Sequence, residues 1–167
     1  MIGIISDTHG LLRPEAAAAL RDCRLLLHAG DVGAAEVLDA LRRVAPVVAI
    51  RGNVDRGDWA SELPEREVVE VDGVSIYMLH DLAGLDLDPV AAGFGVVVSG
   101  HTHAPCVEER RGVLYLNPGG AGPRRFSLPL SVARLTIEDG RALAEIVTLD
   151  VAQGSRTGRG IQPGQHE

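Results

Sequence analysis

Short aliphatic runs in two different rhythms divide this chain and leave few folds open to it. In the first third, runs at 2–5, 25–27 and 47–50 alternate with helical patterns at 14–22 and 34–43. The first helical pattern opens on Pro14, which suits a first turn because its missing N–H would have no intrahelical partner there. A β-α-β-α-β order implies parallel strands joined by right-handed crossovers. The rhythm then changes. Asp72-Gly73 joins runs at 67–71 and 74–79, Arg111-Gly112 joins 106–110 and 113–116, and a turn at 138–141 joins 130–137 and 142–149. A buried run at 96–98 stands between them. An Asp-Gly pair between two such runs is a strong hairpin signal, because both turn residues must take positive φ. A parallel α/β part followed by hairpins predicts two packed sheets with helices outside.

With 167 residues the chain suits one domain and a sizeable core. Only 3% of residues are aromatic, so that core must be built from Leu, Val, Ile and Ala. The net charge of −7 argues against broad contact with nucleic-acid backbones, which needs a basic face. Cys23 and Cys106 have no CxxC spacing and offer neither a disulfide framework nor a thiolate metal site. They are expected to be reduced, partly buried small residues. No basic segment followed by an apolar run opens the chain, and no stretch approaches the ~20 apolar residues of a membrane-spanning helix. A reducing cytoplasm is the simplest setting, and self-association is left open. Residues 152–167 are rich in Gly, Gln, Arg and Ser and lack apolar periodicity. They read as a disordered tail behind a domain at 1–151.

Polar residues of one chemical kind follow the strand patterns. Asp7-Thr8-His9 comes after the first, Gly30-Asp31 after the second and Gly52-Asn53-Val54-Asp55 after the third. His80 follows 74–79, and Gly100-His101-Thr102-His103 follows 96–98. Carboxyl ends of strands are where open α/β sheets bind ligands. A lone Asp-x-His is a chance event, and a lone histidine is more often structural than ligating. Here, though, four of the six histidines lie just past predicted strands. Carboxylates, imidazoles and one amide without thiolate suit Mn, Fe, Zn or Ni ions and discriminate little among them.

The ordered set DTH, GD, GN, H and GHTH resembles the calcineurin-like metallophosphoesterase superfamily. The short chain, the SDTHG start and the stretch Asn117-Pro118-Gly119-Gly120 are similar to its small, single-domain YfcE-type phosphodiesterase branch. The resemblance implies a four-layer α/β/β/α sandwich with two mixed sheets and a dinuclear metal site at the strand ends. By the same resemblance one divalent ion is held by Asp7, His9, Asp31 and His103. The other is held by Asp31, Asn53, His80 and His101, with Asp31 bridging and manganese the first expectation. The implied reaction is hydrolysis of phosphate esters, diesters before monoesters, by a bridging hydroxide attacking phosphorus in line. Asp31, Asn53 and His101 are its expected catalytic residues. Two divalent ions against two carboxylates and one hydroxide leave about one positive charge, suited to a phosphoryl anion. Ions roughly 3.5–4 Å apart also generate hydroxide near neutral pH.

In many members of the superfamily a histidine, the expected proton donor to the leaving group, follows the Asn of the GN motif. Here that residue is Val54, and Asp55 next to it suits a turn at least as well as an acid. His80 is followed by Asp81, where the branch often has glycine, and Asp81 reads equally as a hydrogen-bond partner of a ligand histidine and as a solvated loop residue. His28 is expected to be a supporting or core histidine. Arg51, Arg124 and Arg125 default to the surface, with Arg124 the first of them to contact phosphate because it follows the NPGG stretch. Two other functions compete: a protein-binding scaffold like the retromer subunit of the superfamily, and a DNA-processing nuclease. All seven ligand positions keep ligand-competent residues, which weakens the scaffold. Acidity and the lack of room for a DNA-capping domain put the nuclease last.

Overall fold

The structure is a computed structural model that describes residues 1–152. His166 and the tail from residue 153 onward lie outside the described residues. The first sheet carries β1 (Ile2–Ile5), β2 (Leu25–His28) and β3 (Val47–Ala49), all parallel, with α1 (Pro14–Ala19) and α2 (Ala35–Arg42) in the crossovers. A short α3 (Asp58–Ser61) leads to the second sheet, formed by β4 (Arg66–Val71), β5 (Val74–Leu79), β6 (Val96–Val98), β7 (Cys106–Arg110) and β8 (Val113–Asn117). Its order is β4-β5-β6-β8-β7, with β5, β6 and β8 parallel. The last hairpin, β9 (Ser131–Glu138) and β10 (Arg141–Thr148), returns to the first sheet and pairs antiparallel with β1, giving the order β10-β9-β1-β2-β3. Both sheets are therefore mixed, in an α/β sandwich.

Alternation along the strands decides which side chains meet. Ile2, Ile4 and Leu27 of the first sheet pack against Ile76, Met78, Val96, Val98 and Leu116 of the second. The opposite face of the first sheet sends Ile5, Leu26 and Val132 against Leu20 of the first crossover and Val37, Leu38 and Leu41 of α2. On the outer face of the second sheet Tyr77, Leu79 and Val97 are covered by Leu82, Leu85, Leu87 and Phe94. That fourth layer is thin, a 3-10 turn at Leu82–Gly84 and the loop beyond it. Elements of three or four residues carry no readable period, which is why neither this turn nor α3 is legible in the sequence. α1 stops at Ala19, short of the expected 22, as the chain turns to bury Leu20 and Cys23. Cys23 is buried as expected, and burial raises its thiol pKa. Cys106 is exposed, because β7 is an edge strand with all five residues facing solvent. Among the described residues no helix is long and apolar enough to cross a membrane.

All three hairpins turn through two residues of positive φ: Asp72-Gly73 (48°, 79°), Arg111-Gly112 (52°, 80°) and Asp139-Gly140 (51°, 74°). Aspartate tolerates that region; arginine gains nothing from it. Arg111 also faces Asp88 at 3.3 Å, but both side chains are largely exposed, and exposed ion pairs contribute little. Relief of backbone strain should outweigh the pair. Arg111→Asn is expected to raise stability by roughly 0.5–1 kcal/mol in denaturant titration; a loss of that size would mean that the ion pair matters more than the turn.

Candidate metal centre

The loops that leave β1, β2, β3, β5 and β6 converge at one end of the sandwich and bring the seven expected ligand residues together. Ligand atoms of Asp7, His9 and His103 lie within 4.8 Å of one another, and so do those of Asp31, His80 and His101. The clusters adjoin. Asp31 Oδ2 is 3.2 Å from His80 Nε2 on one side and 3.9 Å from His9 Nε2 on the other. Asn53 extends the second cluster, its Oδ1 3.2 Å from His101 Nδ1.

Asp7, Asp31, His80 and His103 are buried, and Asp7, Asp31 and His80 spend their hydrogen bonds on one side, while His9 Nε2 and His103 Nε2 lie 3.2 Å apart. Asp7 Oδ2 accepts from the Ser6 hydroxyl and from His101 N–H, the latter at 3.0 Å. Asp7 Oδ1 has no hydrogen-bond partner and lies 3.4 Å from His103 Nε2. Asp31 Oδ1 accepts from Val54 N–H at 3.0 Å, which leaves Oδ2 turned toward the histidines. His80 Nδ1 sits 2.7 Å from the Ala29 carbonyl, so that nitrogen carries the proton and Nε2, also without a hydrogen-bond partner, points a lone pair inward. Burial alone would raise the Asp31 carboxyl, but His80 and the Val54 amide more than offset it and hold its pKa below the usual value. Burial would lower His80, yet Asp31 and the Ala29 carbonyl raise its pKa. Burial keeps His103 below its ordinary value despite Asp7. Buried oxygen and nitrogen lone pairs with no hydrogen bond, converging at ligand spacing, fit a divalent cation of the kind that takes mixed N/O ligands.

The backbone around the clusters is contorted. Asp7, His9, Asp31, His101 and His103 all have φ between 46° and 68°. Each such non-glycine residue costs of order 1–3 kcal/mol and persists only where the surroundings enforce it. Close loop packing does so here. A Cβ at Gly52 would collide with Asp31, one at Gly100 with Ser6, and one at Gly120 would come within 2.6 Å of His103 Nδ1. Asn117 ties the GHTH loop down by donating to Gly100 O at 2.8 Å and to Thr102 Oγ1 at 3.1 Å. Ala121 and Gly122 N–H groups donate to Ser6 and Asp7 carbonyls. The NPGG stretch and the two residues after it thus brace the loops that carry Asp7 and His101.

Asp55 accepts from three amides, Val32, Gly33 and Gly52, and so fixes the two loops that carry Asp31 and Asn53. Asp81 accepts from Ala83 N–H through Oδ1, while its Oδ2 stands 3.8 Å from His101 Nε2. Arg124 is exposed and donates to Leu128 O of its own loop at 3.4 Å; Arg51 pairs with Glu65 at 2.9 Å. His28 lies fully buried beneath the clusters. Gly30 N–H donates to its Nδ1 at 3.2 Å, so Nε2 carries the ring proton and donates to Thr8 Oγ1, which in turn donates to Val32 O. A neutral imidazole thereby links the DTH loop to the GD loop.

Burial pushes His28 from its ordinary value near 6.5 down to about 4, with Asp55 pulling weakly the other way. A depressed folded-state pKa contributes stability that is present above the unfolded value and lost as pH falls through the folded one. Between about pH 6.5 and 4 the chelated protein should lose roughly 3 kcal/mol through this residue. His28→Gln should be less stable than wild type at pH 7, with the gap narrowing toward pH 4 in denaturation curves. A gap independent of pH would show that His28 titrates normally.

A family model for the calcineurin-like phosphoesterase superfamily domain matches residues 1–140. The chain is 37% identical over 152 residues to a probable metallophosphoesterase of Methanocaldococcus jannaschii, covering 83% of this chain and 77% of that protein. Among solved structures, an archaeal phosphodiesterase aligns with a TM-score of 0.73 at 25% identity, over 87% of this chain and 99% of the other. Vps29 of Entamoeba histolytica, complexed with Zn²⁺, aligns with a TM-score of 0.70 at 23% identity, over 88% of this chain and 98% of that one, which is a likeness of fold alone. With sequence match, fold and a buried N/O donor set in agreement, the chain belongs to the calcineurin-like phosphoesterase superfamily, whose members employ divalent metal ions.

Proposed function

We propose that this protein hydrolyses phosphate esters, diesters before monoesters, at two divalent metal ions that share Asp31. Asp7, His9, Asp31 and His103 hold one ion, and Asp31, Asn53, His80 and His101 hold the other. The observation that carries the reading is the single carboxylate oxygen, Asp31 Oδ2, that faces His9 and His80 together. Ions bound there supply Lewis acidity toward phosphoryl oxygens and bring the pKa of water near neutrality. Manganese is the first candidate, with zinc, iron and nickel equally suited to the donor set. Asp7 and Asp31 furnish the negative charge, and the Asn53 amide can donate to a phosphoryl oxygen. Water attacks phosphorus in line as the bond to the leaving oxygen breaks. The diester preference has support in the open groove beside the second cluster, which offers room for a second ester group. The scaffold alternative shares the fold, and because Vps29 itself is complexed with Zn²⁺ in a solved structure, turnover of a phosphate ester and not metal binding separates the two readings.

The shared carboxylate has a direct test. Asp31→Asn should lower the affinity for both metals together in calorimetric titration of the chelated chain. Binding of two ions as tight as in wild type would defeat the bridging assignment.

The leaving group has a second test. Val54 stands where an acid is expected and is partly exposed beside Asn53, while Asp55 is committed to three amides. Departing alkoxide then receives no proton from either residue, and general acid catalysis typically contributes about 10²–10⁴-fold. Across substituted phenyl and alkyl phosphodiesters, kcat/KM should fall steeply as leaving-group pKa rises, and Val54→His should flatten the slope. A shallow slope in the wild type would reveal another donor.

A further inference from the structure

The second cluster opens into a groove of about 290 Å³ whose walls differ from those of an ordinary ligand pocket. Such pockets are mostly apolar with a few polar anchors. Here Asn53 and His101 stand at the metal end, and Arg51, Glu65, Arg66 and Asp81 line the rest. Leu79 is the one large aliphatic side chain among the lining residues, and no Phe, Tyr or Trp is among them. A ligand there meets charged and polar head groups carried on apolar stems, with no Phe, Tyr or Trp beside it.

Charge narrows the choice further. Two arginines and two carboxylates make the lining close to neutral. Arg66 commits three of its five N–H donors, to Asp86 at 2.6 Å, to Gly84 O at 2.9 Å and to Tyr77 Oη at 3.3 Å. Arg51 has one partner among the described residues, Glu65 Oε1, so most of its five N–H donors are uncommitted. Its own N–H donates to Pro64 O, which fixes the base of the side chain on the groove wall. Asp81, which also lines the groove, is held through Oδ1 by the Ala83 amide, leaving Oδ2, 3.8 Å from His101 Nε2, as an acceptor. A second anion on the substrate would meet Asp81 and Glu65, and a cation would meet Arg51 and Arg66. A hydroxyl, which both donates and accepts, satisfies both walls at once.

We propose that this groove receives a neutral polyhydroxylated group of the phosphate ester, glycerol- or sugar-like, bound between Arg51 and Asp81. The inference rests on the phosphoesterase reading above. Arg51 is then a residue that determines specificity, acting on the ester group that does not leave.

The test uses 4-nitrophenyl phosphodiesters that share one leaving group and differ in the other ester group: butyl, phenyl, glyceryl and hexosyl. With metal-loaded wild type, kcat/KM for the glyceryl and hexosyl esters should exceed that for the butyl and phenyl esters by at least about tenfold, the effect of one or two hydrogen bonds to charged groups. Arg51→Met should bring that ratio toward one, and Arg51→Lys should restore part of it. A butyl or phenyl ester that matches the glyceryl ester, or a ratio unchanged in Arg51→Met, overturns the proposal. If no ester is hydrolysed, the phosphoesterase reading fails on its own account. The groove is then decided by calorimetry of hexose 6-phosphate against hexyl phosphate with the metal-loaded chain: tighter binding of the sugar supports it, and equal binding overturns it.

Discussion

Taking carboxylates and imidazoles out of water together is the constraint from which the rest of this structure follows. Asp7, Asp31, His80 and His103 are buried at one end of the sandwich, with lone pairs on Asp7 and His80 that no protein group satisfies. Removing ionised groups from water without compensation costs several kcal/mol each, far more than any surface ion pair returns. Such groups, converging at ligand spacing, fit a divalent cation, in keeping with the family. Burial would raise the Asp31 carboxyl, yet His80 and the Val54 amide hold its pKa below the usual value.

Holding that arrangement takes backbone as well as side chains. Five of the ligand residues sit in the left-handed region, and the strain of each must be met by packing elsewhere. The aliphatic sandwich meets it by making the strands rigid, and the small residues meet it by letting the loops touch. Gly52 lies against Asp31 and Gly120 against His103, so the loops brace one another where side chains would have held them apart. Asp55, Asn117 and His28 complete the bracing with hydrogen bonds to loop amides, carbonyls and hydroxyls. None of these three is a ligand, yet the direction in which ligands point depends on all of them.

Substrate choice at such a centre is set by what borders it. On the Asn53 and His101 side the wall carries two arginines and two carboxylates, and Val54 offers no titratable group beside Asn53. The superfamily's fold is shared by proteins of different work, so the fold itself carries little information about substrate. The side chains of one groove carry more.

The sequence by itself determined the local structure and the inventory of polar residues at the strand ends. Strand and helix periods, Asp-Gly turns and the polar residues after each apolar run are encoded within a few neighbouring positions, and each such residue needs only its own strand to present it. Set beside the superfamily's pattern, Val54 read as a departure, and Asp55 suited a turn at least as well as an acid, a choice decided by its three amide partners. Tertiary structure decided what depends on distant segments meeting. That β9 and β10 join β1 rather than the second sheet is a matter of long-range pairing, invisible to any window. That Asp31 Oδ2 lies between His9 and His80 depends on three loops whose heights are set by sheet packing. Positive φ at five polar residues has no composition signal, because aspartate and histidine adopt that conformation only when the surrounding contacts enforce it. The groove lined by Arg51 and Asp81 likewise draws on segments about thirty residues apart, one following β3 of the first sheet and one following β5 of the second.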